Sequence, residues 1–488
     1  MEKDNLLSEL IYEYYESRIL FGMYRYGDQL RSVSQICASF GLARNTVQAA
    51  LNKLEAAGYI KTEQRKMARI VYQGTEETFR ENAIKYFVPR REGMLDINRQ
   101  GPLLFSPVWE RGLRNFERSI SEGTYRKTNP TEILGGDPTK LYYDVLRTFN
   151  NHLMDSLYWQ FLRYLNYFYP NKEYGMGDYM EDGLLSVEKA NRMKAETDAY
   201  YYQNFLEVLA FVDSISEEHH LKDVQQIPFT WMIYRKRPQV RYTLAATIIR
   251  EILWEVYPVG SYLPSLPKMA EQYNVSLITV RRTLDVLHSL GVTKTYMGVG
   301  TRVCMEPIKP DILDTREIQE NMMLHKEGME LLSLTVYNVT LFTLESITGE
   351  KREALLQEIG RLRGKNNNIL CIDVLLKFIS TEVPSAFLRE CYGKLRELMA
   401  WGYIFYAVLR GSGEQPDTDL NNFITRLETD MMADNWTACA GSWQAFIEDR
   451  LDFLRSRFPL GTARMRYDVR WRKGSCIVKY KMNLEPAR

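Results

Sequence analysis

Cysteine is sparse in this 488-residue sequence, and none of it is arranged for chemistry. Cys37, Cys304, Cys371, Cys391, Cys439 and Cys476 form no Cys-x-x-Cys pair and show no metal-ligand spacing. Scattered thiols of this kind are expected to stay unpaired in a reducing cytosol. No run approaches the roughly 20 apolar residues that a membrane span needs. The opening Met-Glu-Lys-Asp-Asn has neither the basic nor the apolar region of a signal peptide. The protein is therefore expected in the cytoplasm, with no membrane partner. A glycine-rich phosphate loop, a nucleophile elbow and a metal triad are all missing, which argues against an enzyme and against a cofactor. Net charge is only +1, so no basic excess spread over the whole chain attracts nucleic acid.

What is present is a repeat. A hydrophobic share of 45% can build real cores, and the length suggests about three domains. Residues 27–58 open with a turn at Gly27 and Leu30, followed by an apolar pattern at Val33, Ile36 and Cys37. A break at Gly41 leads to a second pattern at Val47, Ala50, Leu51 and Leu54, closed by Gly58 where a left-handed residue would end a helix. Two short amphipathic helices joined by a tight turn describe a helix-turn-helix. Adding 233 to Gly27, Leu30, Ser32, Thr46, Val47, Leu51, Leu54 and Gly58 gives Gly260, Leu263, Ser265, Thr279, Val280, Leu284, Leu287 and Gly291, with no gap. The register continues outward to Ile19/Ile252 and Tyr24/Tyr257, and to Lys61/Lys294 and Arg69/Arg302.

Charge is concentrated in the same places. Residues 41–73 hold six basic side chains against two acidic ones, a local +4, and residues 274–303 hold four against one, a local +3. In each copy a helix before the unit is expected, over residues 6–21 and from Thr243, read as its N-cap, with Leu244, Ile248, Ile249, Ile252 and Leu253 inward. Tyr59 to Tyr72 alternates loosely around a basic tip, as a two-stranded wing would.

These residues resemble the winged helix-turn-helix of GntR-type bacterial transcription regulators, over Tyr24 to Ile70 and again over Tyr257 to Val303. The second copy is the nearer match. Pro258-Val-Gly-Ser-Tyr-Leu-Pro-Ser265 is similar to the family's opening loop, Asn274-Val-Ser-x-x-Thr-Val-Arg281 to its turn and recognition helix, and Gly298-Val-Gly-Thr-Arg-Val303 to its wing. The copies depart from the pattern in opposite ways: Arg31 replaces Pro264, Arg65 and Met67 replace Gly298 and Gly300, and Leu277 stands where the first copy keeps Arg44.

The resemblance implies double-stranded DNA as partner, read in the major groove from the start of each recognition helix. The DNA-facing residues it implies are Arg31, Ser32, Arg44, Asn45, Thr46, Gln48, Arg65 and Lys66 in the first copy. In the second they are Ser265, Ser276, Thr279, Arg281, Arg282, Gly298, Gly300 and Thr301. Ser276 is also a competent N-cap. It further implies that the helical regions sense a small-molecule effector or mediate a homodimer. One subgroup holds metal there through an acidic residue and three histidines. His152, His219 and His220 are not spaced like that set, and His288 belongs to a recognition helix, so no metal is expected.

The fold expected is mainly α, with two winged helix-turn-helix domains each followed by a largely helical domain, and a C-terminal β-hairpin. The boundaries are 1–74, 75–238, 239–306 and 307–488. Eleven aromatics between Tyr142 and Tyr174 read as a ligand pocket or as a helical core. Asn368 to Leu376 fits a buried strand or a helix equally. Phe161-Leu-Arg-Tyr-Leu and Leu375-Leu-Lys-Phe-Ile hint that the helical parts repeat too. Met465 to Met482 reads as a basic hairpin, a third nucleic-acid contact or a sheet edge blunted by charge. A fused tandem would be a covalent pseudo-dimer facing an asymmetric site; a dimer of tandems would carry four winged units. In another class, the winged helices are protein-docking folds that no longer bind DNA. An aminotransferase-like fusion, known among GntR-type regulators, needs longer regions than these.

Overall fold

The computed structural model describes residues 5–40, 43–63, 66–121, 142, 145–166, 187–218, 223–234, 239–305, 316–363, 368–402, 420–457, 468–472 and 475–479. The architecture is mainly α. The first winged unit comprises α1 (Asn5–Leu20), α2 (Val33–Phe40), α3 (Arg44–Ala56) and the short antiparallel pair β1 (Ile60–Lys61) and β2 (Arg69–Ile70). Ile11, Tyr15 and Ile19 recur at helical spacing along α1 and are buried against Val47, Leu51 and Leu54 of α3. Leu30, Ile36, Ile60 and Ile70 close this core, which is separate from the main one. Gly58 ends α3 with φ +79°, and its N–H bonds back to the Glu55 carbonyl at 3.0 Å, so the left-handed closure expected there is present.

The second unit repeats the plan with α8 (Gln239–Leu253), α9 (Leu266–Gln272), α10 (Leu277–Ser289), β3 (Thr293–Tyr296) and β4 (Gly300–Val303). Here α8 already begins at Gln239, so Thr243 lies inside the helix, where its carbonyl accepts from the Thr247 hydroxyl; the expected N-cap at Thr243 is corrected. Gly298 at φ +74° and Gly300 at φ +136° permit the tight wing turn, and the wing pairs over four registers, Thr293↔Val303 to Tyr296↔Gly300.

Between the units lie α4 (Glu76–Phe87), a 3₁₀ turn (Val88–Arg90), α5 (Arg91–Ser121), α6 (His152–Leu165) and α7 (Val187–Glu218). After the second unit come α11 (Arg316–Ser346), α12 (Gly349–Gly360), α13 (Asn368–Glu382), α14 (Ala386–Met399), α15 (Leu420–Met432) and α16 (Trp436–Arg457). The ambiguous Asn368 stretch is thus helical. Strands β5 (Asp468–Arg472) and β6 (Ser475–Lys479) form the expected hairpin, whose turn at 473–474 is outside the described residues.

The described residues of 75–238 and of 307–488 pack into a single core, and the second unit shares it. Two helix starts show how the halves engage. Asn151 caps α6, its side chain accepting from the Met154 N–H at 2.9 Å, and Ser385 caps α14, accepting from the Leu388 N–H at 3.1 Å. Each start is also met by a carboxylate from the other half: Asp96 of α5 accepts from the Phe387 N–H at 2.8 Å, and Glu327 of α11 from the His152 N–H at 3.1 Å. The exchange runs both ways, each half supplying a carboxylate to a helix start in the other.

The aromatic cluster is core. Tyr142 stacks on Trp109 and on Tyr158, with ring centroids 4.8 and 5.1 Å apart, and Phe105 meets Phe161 at 4.7 Å. The run from Tyr167 to Tyr174 lies outside the described residues. An extended segment, 224–234, then leads toward the second unit. Phe229, Trp231 and Ile233 are buried while Thr230 and Met232 face out, a period of two. Its backbone is held from both sides, with Gln160 of α6 accepting from the Met232 N–H and Glu390 of α14 from the Trp231 N–H.

Candidate nucleic-acid interface

The two helix-turn-helix units share a set of backbone hydrogen bonds. The Gly27 N–H reaches the Ile70 carbonyl at 3.0 Å, and the Gly260 N–H the Val303 carbonyl at 2.8 Å, with φ near +90° at both glycines. Leu30 N–H to Ala68 and Leu263 N–H to Thr301 are both 2.8 Å, and Val71 N–H to Tyr59 and Cys304 N–H to Val292 are both 2.9 Å. These bonds fix the loop before α2 or α9 against the second wing strand, so recognition helix and wing keep one geometry in each copy. The link from helix end to wing differs chemically. Glu55 accepts from the Thr62 hydroxyl and from the Thr62 N–H, the latter at 2.8 Å, and those bonds hold its carboxyl below the usual range. In the second copy the ring of His288, 233 positions on, lies 3.1 Å from the Thr293 carbonyl.

In the first unit, Arg44 and Asn45 open α3 on the exposed side, with Gln48 one turn on, its amide donating to Asn52. Ala43 supplies no side-chain cap, and the Thr46 N–H turns back to the Ala43 carbonyl at 3.0 Å. Thr46 is placed elsewhere: it is 2% exposed and turned into the core. Ser32 forms a capping box with Gln35, the Ser32 N–H donating to Oε1 at 2.9 Å and the Gln35 N–H to Oγ at 3.3 Å. Arg31 is exposed, Lys66 pairs with Glu63 at 2.6 Å, and Lys53 pairs with Glu9 of α1. Arg65 lies outside the described residues.

In the second unit, Ser276 caps α10, accepting from the Thr279 N–H at 3.1 Å while the two hydroxyls meet at 2.8 Å. Ser265 precedes α9 with no side-chain capping bond. Arg281 and Arg282 are exposed and form no ion pair among the described residues. Thr301 is buried, its hydroxyl 3.0 Å from that of Thr295 across the wing. Gly298 and Gly300 shape the wing by conformation. Two residues outside the DNA-facing set that the resemblance implies stand at the front of this helix, Leu277 and Ile278, both exposed. Their signal was present as the apolar pair aligned with Arg44 and Asn45.

The family model for bacterial regulatory proteins, gntR family, matches residues 7–70 and 241–303, the two winged units. The probable transcriptional regulator PhnF of Escherichia coli (strain K12) is 29% identical over 97 residues, 19% of this chain and 40% of that protein. The chain thus spans less than half the length of this curated relative. Streptococcus agalactiae GntR is 16% identical, covering 44% of this chain and 99% of its own at a TM-score of 0.21. E. coli McbR/YncC is 16% identical, covering 44% and 98% at a TM-score of 0.25.

Proposed function

We infer that this chain is a DNA-binding transcription regulator of the GntR type that reads duplex DNA with two winged helices carried in one polypeptide. The observation that carries the reading is the set of backbone bonds that recurs in both units at an offset of 233 positions, within the segments that match the family. A scaffold kept to that detail presents a recognition helix and a wing in one relation twice. The reciprocal caps, Asp96 on α14 and Glu327 on α6, favour a covalent pseudo-dimer over a dimer of tandems. Because Arg44 and Asn45 face Leu277 and Ile278 in the alignment of the copies, the site is asymmetric. The helical body is the place for an effector to act, since it shares its core with the second reader.

Selection of binding sites from random duplex DNA tests this, with the wild-type chain beside Arg44→Ala and Arg281→Ala. Each substitution is expected to relax one half of an asymmetric site, by about 1–3 kcal/mol per lost base contact. A symmetric selected site sinks the asymmetry. Absence of any enriched site, with affinity indifferent to salt, favours winged helices that dock proteins, because phosphate contacts impose a steep salt dependence.

A further inference from the structure

Helix α10 turns Val280, Thr283, Leu284 and Leu287 inward. On its other side Leu277 is 45% and Ile278 61% exposed, in the first turn of the helix. Single exposed aliphatics are ordinary. These two form part of a face, because side chains four apart on a helix lie one above the other. Leu277 stands under Arg281 and Ile278 under Arg282. In α3 the same places hold Arg44 and Asn45, with Gln48 above Arg44. One copy therefore leads with hydrogen-bonding groups and the other with hydrocarbon.

We propose that the second winged unit recognises thymine C5-methyl groups through Leu277 and Ile278, with Arg281 and Arg282 gripping guanine edges or phosphates beside them. This rests on the reading that the second unit binds DNA. The chemistry selects the base. Hydrocarbon pressed on a base edge leaves that edge's donors and acceptors unpaired, at a cost. The thymine methyl is the one apolar feature that base pairs of unmodified DNA display in the major groove. Charge selects the occupant: two unpaired guanidinium groups share the face with the aliphatics, and Lys294 is exposed on the adjoining wing strand. Protein-docking cores accept arginine but are depleted of lysine, whereas a groove lined by phosphates calls for both, and here Lys294 joins the two arginines. The half-site under the second reader is thus defined by thymines, and the half-site under the first by purines that Arg44, Asn45 and Gln48 can address.

The test changes the DNA and leaves the protein alone. In the selected site, each thymine is replaced in turn by deoxyuridine, which keeps every hydrogen-bonding group and removes the methyl. Full-length protein is titrated onto each duplex, and the protected positions are mapped by footprinting. Substitution under the second reader is expected to weaken binding about fourfold per contacted methyl, the size of one buried carbon. Leu277→Ala with Ile278→Ala is expected to erase that sensitivity, while substitutions under the first reader change little. These side chains are exposed, so the variant keeps its fold; circular dichroism checks it. If the second half-site is protected and relaxed by Arg281→Ala yet indifferent to deoxyuridine, the methyl proposal is overturned and the DNA reading stands. If no protection appears opposite the second unit, both fall, and the apolar face becomes a protein-docking surface.

Discussion

The indole N–H of Trp254 donates to the Asp373 carboxylate at 2.9 Å, joining the end of α8 to α13 in the helical body. Asp373 is 2% exposed and also accepts two bonds from Arg396, at 2.7 and 3.0 Å. Burial lowers the pKa of Arg250, one turn back on α8, with Arg396 acting in the same sense and Asp373 opposing. A buried carboxylate thus holds two helices of the body to the helix behind the second recognition helix. Trp254→Phe keeps the ring and removes the donor, and is expected to cost roughly 1.5–3 kcal/mol. Asp373→Asn strands the guanidinium groups and is expected to cost about 3–5 kcal/mol. Urea unfolding measures both. Amide exchange should rise in α8 to β4 and stay unchanged in the first winged unit; equal loosening of both units would refute this joint.

The crossed caps make a second prediction. Asp96→Ala and Glu327→Ala are each expected to lower stability by about 1–2 kcal/mol, as each removes an acceptor from a helix start. Far-UV and tryptophan signals should move together, because the halves share one core. Two separated transitions in either variant would show that the halves fold apart.

Burial drives the pKa of His325 down to about 4 from the ordinary 6.5, opposed by its bond to the Leu398 carbonyl. The ring is neutral in the fold and takes a proton more readily when unfolded. Its contribution is therefore whole above about pH 6.5 and is lost as pH falls toward 4, by roughly 3 kcal/mol over that window. His325→Gln should flatten the pH dependence of unfolding there. An unchanged slope would mean that the ring is solvated. Gly402 bears on the same ring: an added Cβ would lie 2.7 Å from its Cε1, so Gly402→Ala is expected to destabilise as well.

At the wing, Gly300 holds φ +136°, which side-chain-bearing residues rarely adopt. Gly300→Ala is expected to cost about 1–3 kcal/mol locally and to weaken DNA binding at the second half-site alone. Footprinting reads this directly. Equal weakening of both half-sites would sink it.

Much of this fold was legible because the reader is local. Its glycines, caps and inward aliphatics sit within about fifty consecutive positions, and duplication printed them twice in one register. The helical body was less legible for the same reason reversed. Asn151 and Ser385 are 234 positions apart, whereas Asp96 and Glu327 are 231 apart, so the crossed caps keep no single register that a comparison of the halves could find. They also pair unlike residues, Asn with Ser and Asp with Glu. Thr243 misled because a good capping residue is also tolerated inside a helix, where its hydroxyl bonds backward or outward. At the candidate site, motif position identified the exposed Arg44, Asn45 and Arg281. It could not tell that Thr46 and Thr301 turn inward, which depends on the depth of packing beneath each element.

Arg44 and Leu277 occupy one place in two copies of the same unit, and both copies lie on one chain. In an assembly of identical subunits every mutation is made twice, so a change that improves one contact is imposed on the other. Here a single codon alters a single contact. The two faces of the molecule can therefore be inherited, selected and lost independently while the scaffold between them stays the same.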